Sequence, residues 1–381
     1  MKMETRLVRA GLGTDPATGA VSTPIHPSAT FAHPGLGRTT GFDYSRTANP
    51  TRSVLERALA DLEGGTAGFA FASGMAALTT VFLLLRSGDH LVVSDDLYGG
   101  TYRVLEDVLR RYGLEASYVD TRDTGAVERA LTPRTRMLLV ESPTNPLLKV
   151  ADLPALAGLA RSRGVWLAVD NTFLTPYLQR PLELGAHLVI HSATKYLGGH
   201  NDLLAGAVVA GDQDLAGRLA RVHNSVGAVL DPQTSWLLIR SLKTLAVRLE
   251  RQARSALEVA RALADHPQVA RVYYPGLPDH PGHGLLARQA AGFGAMVSFR
   301  LRSADRLDAF LERLGIITFA ESLGGVESLV TVPSRQTHCD IPPDVRERMG
   351  VTDDLVRLSV GLEAPDDLIE DLDQALGGGS P

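Results

Sequence analysis

A chain of 381 residues with a net charge of −5, no basic block and a single cysteine, Cys339, can bury a full core and excludes several classes of protein at once. Nucleic acid is not an expected partner, and neither an internal disulfide nor a cysteine-based metal site can form. The N-terminus, Met1 to Arg6, is too polar for a signal peptide, and apolar runs such as Val81–Leu85 stop far short of a membrane span, so the cytoplasm is the default location.

Residues 11–45 come first, rich in Gly, Pro, Thr and Ser and without a sustained period. So long a stretch without elements is unusual inside a compact domain, and it reads as an arm lying on something else, another subunit being the natural occupant. From about residue 53 to 211 helical and strand patterns alternate: a helix over Arg52–Leu62, a strand at Phe69–Phe71, a helix from Met75, a strand at Leu91–Val93. That alternation predicts a parallel sheet with helices on both faces. After residue 233 a long helical pattern runs to about Asp265. Shorter strands (Met296–Leu301, Val356–Val360) follow with helices between, and a last helix spans Pro365–Leu376. The fold class is therefore α/β, a mostly parallel large domain with a smaller α+β C-terminal domain. Only the final Gly-Gly-Gly-Ser-Pro reads as a loose tail.

The chemistry collects where strands end. Ala72-Ser73-Gly74-Met75-Ala76 leaves a strand and opens a helix, whose free N–H groups and glycine suit an anion; Gly74 and Met75 are the candidate donors. Asp96-Leu97-Tyr98-Gly99-Gly100 follows another strand and places an aromatic ring where it can stack on a flat ligand. Glu141-Ser142-Pro143-Thr144-Asn145-Pro146, after Met137–Val140, offers an amide. Val165–Asp170 and His187–His191 read as buried strands, ending in Asp170 and in Ser192-Ala193-Thr194-Lys195. Polar groups thus converge from six strand ends on one edge, where open α/β sheets bind their ligands.

A lysine at such an edge can form a Schiff base with an aldehyde cofactor, a carboxylate can pair with a pyridinium nitrogen, and two hydroxyls can take a phosphate. Together they are the protein's side of pyridoxal phosphate chemistry. The chain has only four lysines, Lys2, Lys149, Lys195 and Lys243, and uses arginine elsewhere. Base composition explains most of that bias. It does not explain a lysine kept between Thr194 and Tyr196, where arginine could not supply a free amine.

Phe42–Arg52, Val169-Asp170-Asn171-Thr172-Phe173, His191–His200 and Ala320-Glu321-Ser322-Leu323-Gly324-Gly325 closely resemble the cysteine/methionine-metabolism family of pyridoxal phosphate enzymes, in order and over nearly the whole chain. The resemblance implies fold type I, with an arm over residues 1–45, a cofactor domain over 46–245 and a small domain over 246–381. It also implies a homotetramer of two tight dimers with shared active sites. Lys195 would hold pyridoxal 5'-phosphate, Asp170 its ring nitrogen and Tyr98 its ring face, with Tyr98 also assisting proton transfer. Gly74, Met75, Ser192 and Thr194 would bind its phosphate, joined by Tyr44 and Arg46 of a neighbouring subunit. Asn145, Ser322 and Arg357 would grip an amino-acid substrate's α-carboxylate, Arg357 through its planar fork.

Methionine γ-lyases usually carry an apolar residue at the position of Glu321. In the cystathionine γ-enzymes a glutamate there, with an acidic residue at the position of Asp43, faces a distal ammonium, and Arg103 would face a distal carboxylate. The resemblance therefore implies a cystathionine lyase, by γ- or β-elimination, with cystathionine γ-synthase as the alternative. An aminotransferase or desulfurase on the same fold would keep Lys195 and Asp170 but has no need of Asp43, Arg103 and Glu321 together. Arg335-Gln336-Thr337-His338-Cys339-Asp340 departs from the family's commoner Met-Thr-His-Ala. His200, His223, His283 and His338 fit no common zinc spacing and read as structural or solvent-facing.

Overall fold

The computed structural model describes residues 1–13 and 15–377; beyond Gly377 the tail lies outside the described residues. The first long helix, Pro50–Glu63, begins ahead of its apolar period because Asn49 caps it. The Asn49 side chain accepts the N–H groups of Thr51 and Arg52 at 3.0 and 3.3 Å, and Pro50 needs no donor partner at the first position. Gly64, at φ 73°, ends it in the left-handed conformation that glycine adopts without strain.

Seven strands form the large sheet: β1 (Ala67–Phe71), β2 (His90–Ser94), β3 (Glu115–Val119), β4 (Thr135–Glu141), β5 (Trp166–Asp170), β6 (Leu188–His191) and β7 (Gly206–Ala210). Their order is β1-β7-β6-β5-β4-β2-β3. Only β7 runs against the rest, pairing antiparallel with both β1 and β6. β2, β6 and β7 are buried at every residue, as their near-continuous apolar runs require of central strands covered on both faces. Every strand except β7 therefore delivers its C-terminus to one edge. Gly206, at the start of β7, lets that edge close: a Cβ there would lie 2.1 Å from the Ser73 carbonyl oxygen.

The helical pattern expected to run unbroken to Asp265 is two helices, Pro232–Leu242 and Leu245–Asp265. Buried Arg248 explains the break. Its Nη2 donates to the Ser241 carbonyl at 3.2 Å, which also accepts from Thr244, and its Nη1 to the Tyr196 carbonyl at 2.9 Å, tying the joint to the residue after Lys195. Beyond it, β8 (Val269–Tyr273), β9 (Met296–Leu301), β10 (Thr318–Phe319), β11 (Leu329–Thr331) and β12 (Leu355–Ser359) form a second sheet, ordered β10-β11-β12-β9-β8. The helix Pro365–Leu376 falls where its period places it and packs on Leu245–Asp265. One apolar core joins the two sheets, running from Leu55 and Leu59 through Leu242, Leu249 and Ala256 to Phe299 and Leu358.

Among the described residues, the 11–45 stretch holds no helix or ladder strand, only isolated bridges at Thr30–Tyr44 and Gly35–Arg38. It carries exposed apolar side chains, Val21 and Leu36 among them. Among the described residues no helix is long and apolar enough to cross a membrane.

Candidate active site

A cleft opens at the common strand edge, lined among others by Gly74, Met75, Tyr98, Glu141, Asn145, Asp170, Ser192, Thr194 and Lys195. These come from five strand ends of the large sheet, those of β1, β2, β4, β5 and β6, and not six. The remaining wall is supplied by the second sheet: Glu321 and Ser322 just after β10, and Arg357 within β12.

Lys195 is the lysine in this cleft. Its Nζ donates to Ser322 Oγ at 2.8 Å, and burial, with the Arg357 guanidinium nearby, brings its pKa down to about 8. A useful fraction of free amine is then present at neutral pH. Lys149, by contrast, is held in an ion pair by Asp95 at 3.0 Å. Ser322 has a φ of 104°, a conformation that costs a non-glycine residue on the order of 1–3 kcal/mol. The strain places its hydroxyl on Lys195 and its carbonyl oxygen 3.1 Å from Arg357 Nη2.

Arg357 is the strongest sign of a ligand. It is buried, donates to Asn145 Oδ1 at 2.8 Å, and has no carboxylate partner among the described residues. Its Nε has no hydrogen-bond acceptor at all, and burial lowers its pKa to about 10. A buried cation is costly unless paired. An entering carboxylate would pair it, with Asn145 as neighbour.

Asp170 and Glu141 face each other in register on adjacent strands. Burial raises the pKa of both, and the Asp170 charge raises that of Glu141 further. Asp170 is partly compensated, because Thr172 donates to its Oδ1 through N–H and hydroxyl at 3.0 and 2.5 Å. Two buried carboxyls this close do not both ionise without a cation. A protonated ring nitrogen beside Asp170 would supply one, leaving Glu141 neutral. Glu141 also accepts the Tyr98 N–H at 3.2 Å and so sets the aromatic residue's backbone. The Tyr98 ring lies over Gly100, where a Cβ would meet it at 2.5 Å.

The helix Gly74–Phe82 begins at the cleft, capped by Ser73 through the Ala76 N–H at 3.1 Å. The N–H groups of Gly74 and Met75 have no partner within the helix and suit an anion. A Cβ on Gly74 would sit 2.8 Å from Ser192 Cβ, so glycine keeps this cradle open. Thr194 is already engaged, donating to the Ala205 carbonyl at 3.1 Å and accepting its N–H at 3.0 Å. The donor set fits pyridoxal phosphate: an amine for its aldehyde, a carboxylate for its nitrogen, a ring for its face and a helix start for its phosphate.

Sequence reasoning assigned no role to Glu141 and left His338 among four structural or solvent-facing histidines. His338 is buried, and burial pushes its pKa down to about 4, so it is neutral. Its Nε2 bridges the carbonyl oxygens of Leu97 and Asn145 at 3.1 and 3.0 Å, locking the β2 and β4 exits together. Asp96 does similar work, accepting Thr144 Oγ1 at 2.5 Å and the Leu147 N–H at 3.1 Å.

Four expected residues are not brought to the cleft wall of this chain. Asp43 and Tyr44 at the end of the arm and Arg46 just past it are exposed; Thr39 donates to Asp43 at 2.6 Å and the Arg46 guanidinium lies 5.6 Å from the Tyr44 ring centre. Arg103, one helical turn past Tyr98, is ion-paired with Asp340.

A family model described as Cys/Met metabolism PLP-dependent enzyme matches residues 4–377. The chain is 53% identical to "Cystathionine gamma-lyase" of Bacillus subtilis over 376 residues, covering 99% of each chain. It is 46% identical to "Cystathionine beta-lyase" of Lactococcus lactis, covering 98% of each. Its fold superposes with a TM-score of 0.97 on a solved cystathionine gamma synthase from Xanthomonas oryzae in complex with cystathionine, 42% identical, covering 99% of this chain and 98% of that one. A lysine, an aspartate, a tyrosine ring and a helix start at one strand edge, within a match of that extent, leave one conclusion: the chain belongs to the Cys/Met metabolism family of PLP-dependent enzymes.

Proposed function

We propose that this enzyme cleaves cystathionine, a sulfur amino acid with an amino-acid group at each end, by γ-elimination, with β-elimination the next reading. The observation that carries it is Glu321, a carboxylate lining the cleft beside Ser322 and the unpaired Arg357. Arg357 and Asn145 would take the near carboxylate, Glu321 and a neighbouring subunit's Asp43 the far ammonium, and Arg103 the far carboxylate. The names of the relatives support the same substrate and leave γ-replacement on an O-acyl-homoserine by cysteine as the alternative.

The bound cofactor supplies the electron sink. Lys195, oriented by Ser322, would take the proton at the substrate Cα and, for γ-elimination, a second at Cβ, and pass protons on to the departing sulfur and to Cγ, its pKa near 8 letting one amine serve both ways. Asp170 would be ionised against the ring nitrogen while neutral Glu141 sits beside it. Gly74, Met75, Ser192 and Thr194 would hold the phosphate, completed by Tyr44 and Arg46 of the next subunit in a tetramer of two tight dimers.

Product analysis with cystathionine tests the reading: 2-oxobutanoate with cysteine marks γ-elimination, and pyruvate with homocysteine marks β-elimination. New cystathionine from an O-acyl-homoserine plus cysteine would instead favour the synthase. Replacing Glu321 by Val should lower turnover of cystathionine about ten- to a hundredfold and spare methionine. Equal losses on both would show that Glu321 supports Ser322 rather than reading the substrate.

A further inference from the structure

Arg103 and Asp340 lie 237 positions apart in the chain and meet as a partly exposed ion pair on two segments that adjoin the cleft. Two observations place the pair there. Arg103 ends the short helix Gly99–Arg103, which starts directly after Tyr98 of the cleft wall. Asp340 ends the run Thr337–Asp340, and Thr337 also lines the cleft. The two segments are pressed together: a Cβ on Gly99 would come within 2.1 Å of the Thr337 carbonyl oxygen. His338 fixes the run from beneath through its bond to Leu97 O at 3.1 Å. Asp340 therefore reaches Arg103 from an anchored backbone.

We infer that Asp340 is a specificity-determining residue, an internal carboxylate that occupies Arg103 and must be displaced by the distal carboxylate of the substrate. This rests on the reading of Arg103 given above. Its chemistry is simple: a guanidinium fork binds one carboxylate well, and an intramolecular carboxylate competes without any loss of translational freedom. The other charged groups given a role at this end are Glu321, which is not bonded to Arg103, and Asp43, which accepts from Thr39 within its own arm.

An exposed pair of this kind is weak, so the competition is modest. Freeing Arg103 should improve apparent affinity for a ligand with a distal carboxylate about two- to sixfold. The test compares wild-type holoenzyme with Asp340→Asn and Asp340→Ser on two substrates, cystathionine and S-(2-aminoethyl)homocysteine, which keeps the distal ammonium and lacks the carboxylate. The expected result is a lower KM for cystathionine with kcat unchanged, no change for the aminoethyl compound, and no effect of Asp340→Asn in an Arg103→Ala background. A cystathionine KM that is unchanged or raised by both substitutions overturns the proposal; a rise on both substrates would assign Asp340 to the ammonium instead. Absence of cystathionine turnover by the wild-type protein would defeat the substrate reading and this inference together, whereas turnover indifferent to Asp340 defeats this inference alone.

Discussion

The cleft wall and the N-terminal arm carry residues of the same supposed site in opposite physical states. Lys195, Asp170, Asn145 and Arg357 sit at strand ends or within a strand, and their positions are over-determined by registers, caps and hydrogen bonds. Asp43, Tyr44 and Arg46 sit at the end of a stretch with no ladder, exposed, with Asp43 bonded to Thr39 and the Arg46 guanidinium near the Tyr44 ring. The wall holds a buried guanidinium whose Nε meets no acceptor, and the arm exposes Val21 and Leu36. On the proposed reading, one chain builds the chemistry and the arm completes the site of another copy.

The comparison breaks most visibly at Arg357. Arg357→Met should raise KM for the amino-acid substrate by about thirtyfold or more, because a buried charge-assisted contact is lost and Asn145 Oδ1 keeps no donor. Cofactor content, read from visible absorbance, should stay near normal. Loss of cofactor along with substrate affinity would mean Arg357 holds the fold of the wall.

A smaller effect sharpens the electrostatics of Lys195. Its amine must be neutral to attack the cofactor aldehyde, and burial lowers its pKa to about 8. Reattachment of pyridoxal phosphate to stripped enzyme should quicken about tenfold per pH unit below that value and level off above it. A rate still rising steeply at pH 10 would place Lys195 in a watery site with an ordinary pKa. The smallest and most diagnostic signal concerns the arm: mixing inactive Arg46→Ala with inactive Lys195→Ala protein should restore part of the activity through hybrid dimers. No recovery despite proven subunit exchange would return the arm residues to their own chain.

Much of this was legible in the sequence, for reasons that show its limits. Strand exits announce themselves locally, so Asp170, Tyr98 and Lys195 could be placed from β-branched runs and the polar residues that end them. The Pro365–Leu376 helix is bounded by its own proline and glycine. What escaped depends on partners distant in sequence. Glu141 acquires its meaning from the register that sets it against Asp170. The break before Leu245 depends on Arg248 reaching back to Ser241 and across to Tyr196, which no helical period encodes. His338 looked like any histidine until two strand exits closed around it. The antiparallel course of β7 goes with a connection, residues 192–205, that holds no crossover helix, rather than with its composition, which matches that of its parallel neighbours.

The central claim is that Lys195, alone among four lysines, carries the cofactor. Reducing the holoenzyme with borohydride and mapping the modified peptide tests it most directly. The holoenzyme should be yellow, and its cofactor should become fixed to Lys195 and to no other residue. Label recovered on Lys149 or Lys243 would contradict it.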